Sequence, residues 1–299
     1  SVTGAILILL FVGALAGTWL IGGVIPAMIY YGLQILHPSI FLPACVIICA
    51  LISLATGSSW TTSATVGIAL IGIGKALGVP VGMVAGAVLS GAYFGDKLSP
   101  LSDTTNLAPA MAGADLFTHI RYMTHTTVPS IVVTLIVFII LGIGFSAEGS
   151  ANSQVLIAAM NEEFTINLLL FIVPILVIVM IVKKTPPLVA LFVGTLLGAL
   201  SALIFQQDLL LSLSGESSLS LFGTYQVIID AITVSTEIET SSPELSDLFQ
   251  SGGMQGMLGT IWLIICAMVF GGVMDAIGAL ATISTALLSM AKSTFQLFA

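Results

Sequence analysis

Between Gly91 and Asn106 the sequence reads GAYFGDKLSPLSDTTN, a charged stretch set between long apolar runs. Two carboxylates, Asp96 and Asp103, stand among Ser99, Ser102, Thr104, Thr105 and Asn106, with Lys97 next to the first. Carboxylate, hydroxyl and amide oxygens are hard ligands that suit a hard cation such as Na⁺. A charge placed at membrane depth costs about 2.5–3.5 kcal/mol on insertion scales, so such residues mark an ion or substrate path. A second polar break, TGSSWTTSATVG at 56–67, offers Ser58, Ser59, Thr61 and Thr62 as further neutral oxygens. Trp60, inside this break, is expected to pack it rather than to touch an ion.

The elements that must position these groups are membrane helices. Of 299 residues, 58% are hydrophobic and only 7% charged, and the mean hydropathy is +1.18. Soluble domains carry about 25% charged residues. Helices need about 20 apolar residues to cross the hydrocarbon core. Runs of that kind lie at Ala5 to Leu20, extending toward Leu33, and at Thr126 to Phe145, Phe164 to Val182, Pro186 to Phe205 and Leu258 to Val273. Weak period-2 alternation argues against a membrane β-barrel. The class is therefore an all-α polytopic membrane protein. An enzyme is not expected, because no His or Cys lies in the polar breaks to pair with a nucleophile. Cys45, Cys49 and Cys266 have no further ligands at metal spacing and are read as packed apolar side chains.

Between residues 41 and 106 the apolar pieces are short and interrupted by Gly, Pro and hydroxyls. Each is read as too short to cross alone, which is the mark of discontinuous or re-entrant helices. Small residues at four-residue spacing, Gly82/Gly86/Ser90 and Ala87/Gly91/Gly95, predict close helix packing. A weak internal echo around a shared Gly-Gly-Val links WLIGGVIPA (19–27) with VFGGVMDAI (269–277) and points to repeat symmetry, which would make Asp275 a further buried carboxylate. Four regions follow. Residues 1–145 form a first-repeat region with the ion-site motifs, and 146–206 form connecting helices. Residues 207–253 form an acidic extracytoplasmic loop, and 254–299 begin a second repeat. The chain opens at Ser1 on one apolar run and closes just after another, as expected of a piece of a longer transporter. Arg121 and Lys183/Lys184 lie on one side when the runs are alternated. The acidic stretches 146–163 and 206–253 lie on the other, and the long acidic loop is read as a solvated connector rather than a cation-gathering funnel. The basic residues predict a cytoplasmic face for Lys183 and Lys184. His119 and His125 are read as interfacial polar residues. The net charge of −8 comes largely from the outer loops and indicates no nucleic-acid partner.

Several of these motifs, TGSSWTTSATVGIALIGIGKALGVP, GAYFGDKLSPLSDTTNLAPAMAGADLFTHI and the Gly-Gly-Val segment with GGMQGML before it, resemble the NhaC family of Na⁺/H⁺ antiporters. The resemblance is densest from Thr56 to His125. It implies two inverted repeats in a bacterial-type inner membrane, and secondary active exchange of Na⁺ for H⁺ by alternating access. Some members also move organic acids, so a Na⁺/H⁺-coupled organic acid or amino acid exchanger is the alternative. No cofactor is implied beyond the transported ions. The partners are Na⁺, H⁺, a small organic acid under the alternative, the lipid bilayer and a second copy in a homodimer. Exchange needs a buried acid that holds either H⁺ or Na⁺, never both. Asp96 and Asp103 fit that role as Na⁺ ligands. Asp103, with no basic neighbour in sequence, is expected to make the trade. Asp96, paired with Lys97, is expected to tune affinity or the pH profile.

Overall fold

Turn chemistry, more than apolar length, decides where the helices of this chain stop. The computed structural model describes residues 2–100, 102–143, 157–158, 160–183, 185–218, 220–238, 240, 246 and 249–290. The first apolar run does not continue toward Leu33 as one helix. It breaks at Gly22 and Gly23 into α1 (Val2–Ile21) and α2 (Val24–Ile35), bent by 70°. Gly23 sits at φ +76°, and a Cβ there would collide with the Gln206 carboxamide, so glycine is required twice over. Gln206 is itself held. Its Oε1 accepts the Thr165 N–H at 3.0 Å and its Nε2 donates to the Thr165 carbonyl at 2.9 Å.

α3 (Pro38–Thr56) starts with proline in its first turn, where the missing N–H is no loss. The His37 ring accepts the Ser39 N–H ahead of it. Nineteen residues long, α3 is apolar enough to cross a bilayer. This corrects the expectation that each piece of this region is too short. α3 ends on Gly57 in the left-handed conformation. After the break come α4 (Ser59–Thr62), a π-helical turn at Ser63–Gly67, and α5 (Ile68–Ala76). Then follow α6 (Val81–Leu98), α7 (Asp103–Ala112) and α8 (Leu116–Ile143). Asp115 accepts the Thr118 N–H at 2.9 Å just outside α8, which holds its carboxyl below the usual carboxylate range.

α3 and α6 run side by side in the same direction. A Cβ on Gly91 would strike the backbone of Val46, and one on Gly95 the backbone of Ala50. The Ala87/Gly91/Gly95 row is therefore the packing row, while Gly82 faces open space. We expect Gly91→Val to cost about 1–3 kcal/mol by overpacking. It should lower the melting temperature of the detergent-solubilised protein, and Gly82→Val should not. Equal melting of the two variants would refute the assignment. α8 returns antiparallel to α3, since Gly142 meets the backbone of Ser39.

The run expected from Phe164 to Val182 yields a shorter helix. Asn167 caps a 3₁₀ turn, Leu168–Phe171, that leads into α9 (Ile172–Val182). α10 (Pro187–Phe205) packs along α1, where Gly194 and Gly198 admit Trp19, and the Trp19 Nε1–H donates to the Gly194 carbonyl at 3.0 Å. The acidic stretch 207–253 is more than a solvated connector. It holds α11 (Gln207–Ser214) and α12 (Leu221–Thr233), whose Leu210, Val227 and Ala231 pack with Ile21 and Ala202. Strands β1 (Thr236–Glu237) and β2 (Gln250–Ser251) pair antiparallel, and α13 (Gly253–Gly256) follows. Phe249 is fully buried, edge-on to Phe164 at 4.9 Å.

Contacts divide the chain into two bodies, 1–256 and 257–299. The second holds α14 (Leu258–Ala276) and α15 (Ala279–Met290). Among the described residues four stretches are long and apolar enough to cross a membrane: Pro38–Thr56, Leu116–Ile143, Pro187–Phe205 and Gly253–Ala276. The bent α1–α2 pair makes a fifth if counted as one span. The Gly-Gly-Val echo takes two different conformations, a sharp bend at 22–24 and a helix interior at 271–273.

Candidate functional site

Three helix ends converge at one end of the first body: the C-terminus of α3, the N-terminus of α4 and the C-terminus of α6. Ser58 caps α4, its Oγ accepting the Thr61 N–H at 3.2 Å and pairing with Thr61 Oγ1 at 2.9 Å. The next residue, Ser59, is 4% exposed, and its hydroxyl donates to Asp96 Oδ2 at 2.8 Å across 37 positions of sequence. Asp96 lies in the last turn of α6, half-buried. The Lys97 side chain is exposed, and no ion pair joins it to Asp96 among the described residues. The polar partner of this carboxylate is therefore a hydroxyl from the first break, not the adjacent lysine.

Most of the other hydroxyls singled out from the sequence hold the backbone of the site. Thr62 Oγ1 donates to the Ser58 carbonyl at 2.9 Å, and Ser99 Oγ to the Leu54 carbonyl at 2.8 Å. Thr105 Oγ1 lies 3.1 and 3.2 Å from the Asp96 and Lys97 carbonyls and closes the end of α6. Ser102 Oγ pairs with Thr104 Oγ1 at 3.0 Å and accepts the Thr105 N–H at 3.4 Å, starting α7. Asn106 Nδ2 donates to the Pro100 and Ser102 carbonyls at 2.8 and 2.7 Å. These bonds satisfy backbone groups that helix ends leave open. Asp103 is the first residue of α7, and its side chain lies outside the described residues. Asp275 lies in the last turn of α14 and is exposed within its own body.

Asp96 faces a cavity of about 520 Å³. Thr56, Gly57, Ser58, Trp60, Pro100, Ser102, Thr104 and Asn106 form one side of it. Trp60 is 52% exposed and lines this space. The other wall was not foreseen from sequence. Ile181, Thr185, Pro186 and Pro187, at the junction of α9 and α10, complete its lining. The one visible signal was the paired prolines, which fix the backbone of a short connection. A half-buried carboxylate with a hydroxyl donor, in a cavity lined by further oxygens, is chemically suited to hold a hard cation.

A model of the Na⁺/H⁺ antiporter family matches residues 91–299. The malate-2H⁺/Na⁺-lactate antiporter of Bacillus subtilis is 41% identical over 281 residues, 93% of this chain and 57% of that protein. The Na⁺/H⁺ antiporter NhaC of Alkalihalophilus pseudofirmus is 36% identical over 294 residues, 98% of this chain and 61% of its own length. The arginine/ornithine antiporter ArcD of Halobacterium salinarum is 32% identical over 285 residues, 94% of this chain and 56% of that protein. This chain thus spans about three-fifths of the length of these relatives. No solved structure matches it.

Proposed function

This chain belongs to the Na⁺/H⁺ antiporter family, and we propose that the whole protein exchanges Na⁺ for H⁺ across the membrane by alternating access. The observation that carries the reading is the Asp96 carboxylate, held by Ser59 at 2.8 Å and facing a cavity walled by two helix groups. One carboxylate that binds H⁺ or Na⁺ but not both couples the two flows, because each occupied form biases the same two-state motion. Asp103, starting α7 between the cavity residues Ser102 and Thr104, stands as the second Na⁺ ligand. Thr104 and Asn106 line the same space.

A second reading keeps the same site and adds an organic co-substrate. The cavity, at about 520 Å³, is far larger than a bare cation requires, and the Bacillus subtilis relative is named for malate and lactate. One experiment separates the two. In vesicles holding the full-length protein, a Na⁺ gradient alone should drive H⁺ movement under the first reading. Under the second, H⁺ movement should require malate or lactate.

The setting is a multi-pass cell membrane. Lys97, Arg121 and Lys183 gather at the cavity end of the first body, and Lys75 lies at the other. Lys184 lies outside the described residues. The excess of basic residues supports a cytoplasmic face for the Lys183 end, with the cavity open to that side. Ser217, in the exposed turn between α11 and α12, then faces outward. A cysteine placed there should react with an impermeant maleimide in intact cells. Reaction only in inverted vesicles would reverse the orientation.

A further inference from the structure

We propose that Thr185 is the ligand through which the α9–α10 connection reaches the ion held at Asp96, an inference that rests on the exchange reading above. The other hydroxyls lining the cavity are engaged. Ser58 pairs with Thr61 at 2.9 Å, Thr56 with Thr62 at 3.5 Å, and Ser102 with Thr104 at 3.0 Å. Thr185 differs. Its backbone N–H donates to the Met180 carbonyl at 3.0 Å, which fixes the turn after α9. Its hydroxyl has no hydrogen-bond partner among the described residues, although the side chain is half-buried in the cavity wall. Pro186 and Pro187 follow at once and leave the backbone little freedom to turn this side chain away. Thr185 thus brings a hydroxyl from the α9–α10 connection to the same cavity that Asp96 lines.

That placement gives the two cargoes different effects. A proton on Asp96 is satisfied by the carboxylate alone. A Na⁺ ion needs several oxygens around it. The Ser59 hydroxyl already points its proton at Asp96, and the cap hydroxyls are committed to the backbone. Thr185 supplies one such oxygen from the α9–α10 connection, a contact that a proton on Asp96 does not need. Differential contact of this kind is what a ligand must have to shift a conformational equilibrium.

The test uses the full-length protein in vesicles. Thr185→Val should raise the Na⁺ concentration for half-maximal exchange by about tenfold or more, as for loss of one hydrogen-bonding group to a charge, with the maximal rate retained. Thr185→Ser, which restores the hydroxyl, should recover most of that loss. Where Thr185→Val fails to accumulate in the membrane, Thr185→Cys decides. Its labelling by maleimide should be slowed by Na⁺ and not by choline at equal ionic strength. An unchanged half-maximal Na⁺ concentration in Thr185→Val, or Na⁺-indifferent labelling of Thr185→Cys, overturns the inference. Exchange that survives in Asp96→Asn overturns the reading beneath it instead, so the two failures are told apart.

Discussion

Asp96→Asn is expected to abolish coupled Na⁺/H⁺ exchange by the full-length protein at every pH, while the variant still reaches the membrane. Asparagine keeps the size of the side chain and can still accept the Ser59 hydroxyl, which bonds Asp96 Oδ2 at 2.8 Å. What it removes is the negative charge and the titration. Without the charge, the cavity loses the described carboxylate that attracts Na⁺. Without the titration, nothing exchanges one cargo for the other. The measurement is the Na⁺-induced pH change in vesicles across the pH range, with membrane content followed by antibody. Asp103→Asn is the matched comparison. The sequence pattern favoured Asp103 because Lys97 follows Asp96 directly, but the Lys97 side chain is exposed and makes no ion pair with Asp96 among the described residues. Exchange lost in Asp103→Asn and retained in Asp96→Asn would return the proton-carrying role to Asp103.

The second large effect is expected at Ser59. Its hydroxyl is buried and aimed at the carboxylate from a different helix. Hydrogen bonds to charged groups contribute about 1.5–3 kcal/mol, so Ser59→Ala should weaken apparent Na⁺ affinity roughly ten- to a hundredfold. The orientation of the carboxylate is lost along with the bond. Thr62→Val sets the contrast. Sequence alone made Thr62 a candidate Na⁺ ligand, yet its hydroxyl donates to the Ser58 carbonyl at 2.9 Å and is 1% exposed. That variant should lower thermal stability by loosening the α3–α4 turn and leave the Na⁺ dependence of the surviving protein near normal. A Ser59→Ala protein with unchanged Na⁺ dependence would reduce the Asp96–Ser59 bond to a packing feature.

The alternating character of the chain, apolar runs cut by charged or hydroxyl-rich breaks, was legible from composition alone, because hydropathy sums over residues without reference to their partners. The same holds for the membrane class, for the approximate spans at Pro187–Phe205 and Leu116–Ile143, and for the motif resemblance around 56–125. The two breaks that meet at the site, Ser58–Thr62 and Asp96–Asn106, were also visible, since polar groups at membrane depth stand out one by one. Tertiary structure decided what those groups do. Ser59 meets Asp96 only because the Ala87/Gly91/Gly95 row lets α6 lie against α3, and no local rule assigns a partner 37 residues away. Ser99, Ser102, Thr105 and Asn106 carry the same oxygens as an ion ligand, but the open groups of nearby helix ends claim them first. Gly-Gly-Val bends the chain by 70° at one place and continues a helix at another, because Gly23 takes the left-handed conformation where the Gln206 side chain of a distant segment leaves no room for a Cβ. The far wall at Thr185–Pro187 has no motif of its own. It belongs to the site through the packing of α9 against α10 and α3, a long-range contact that a one-dimensional pattern does not encode.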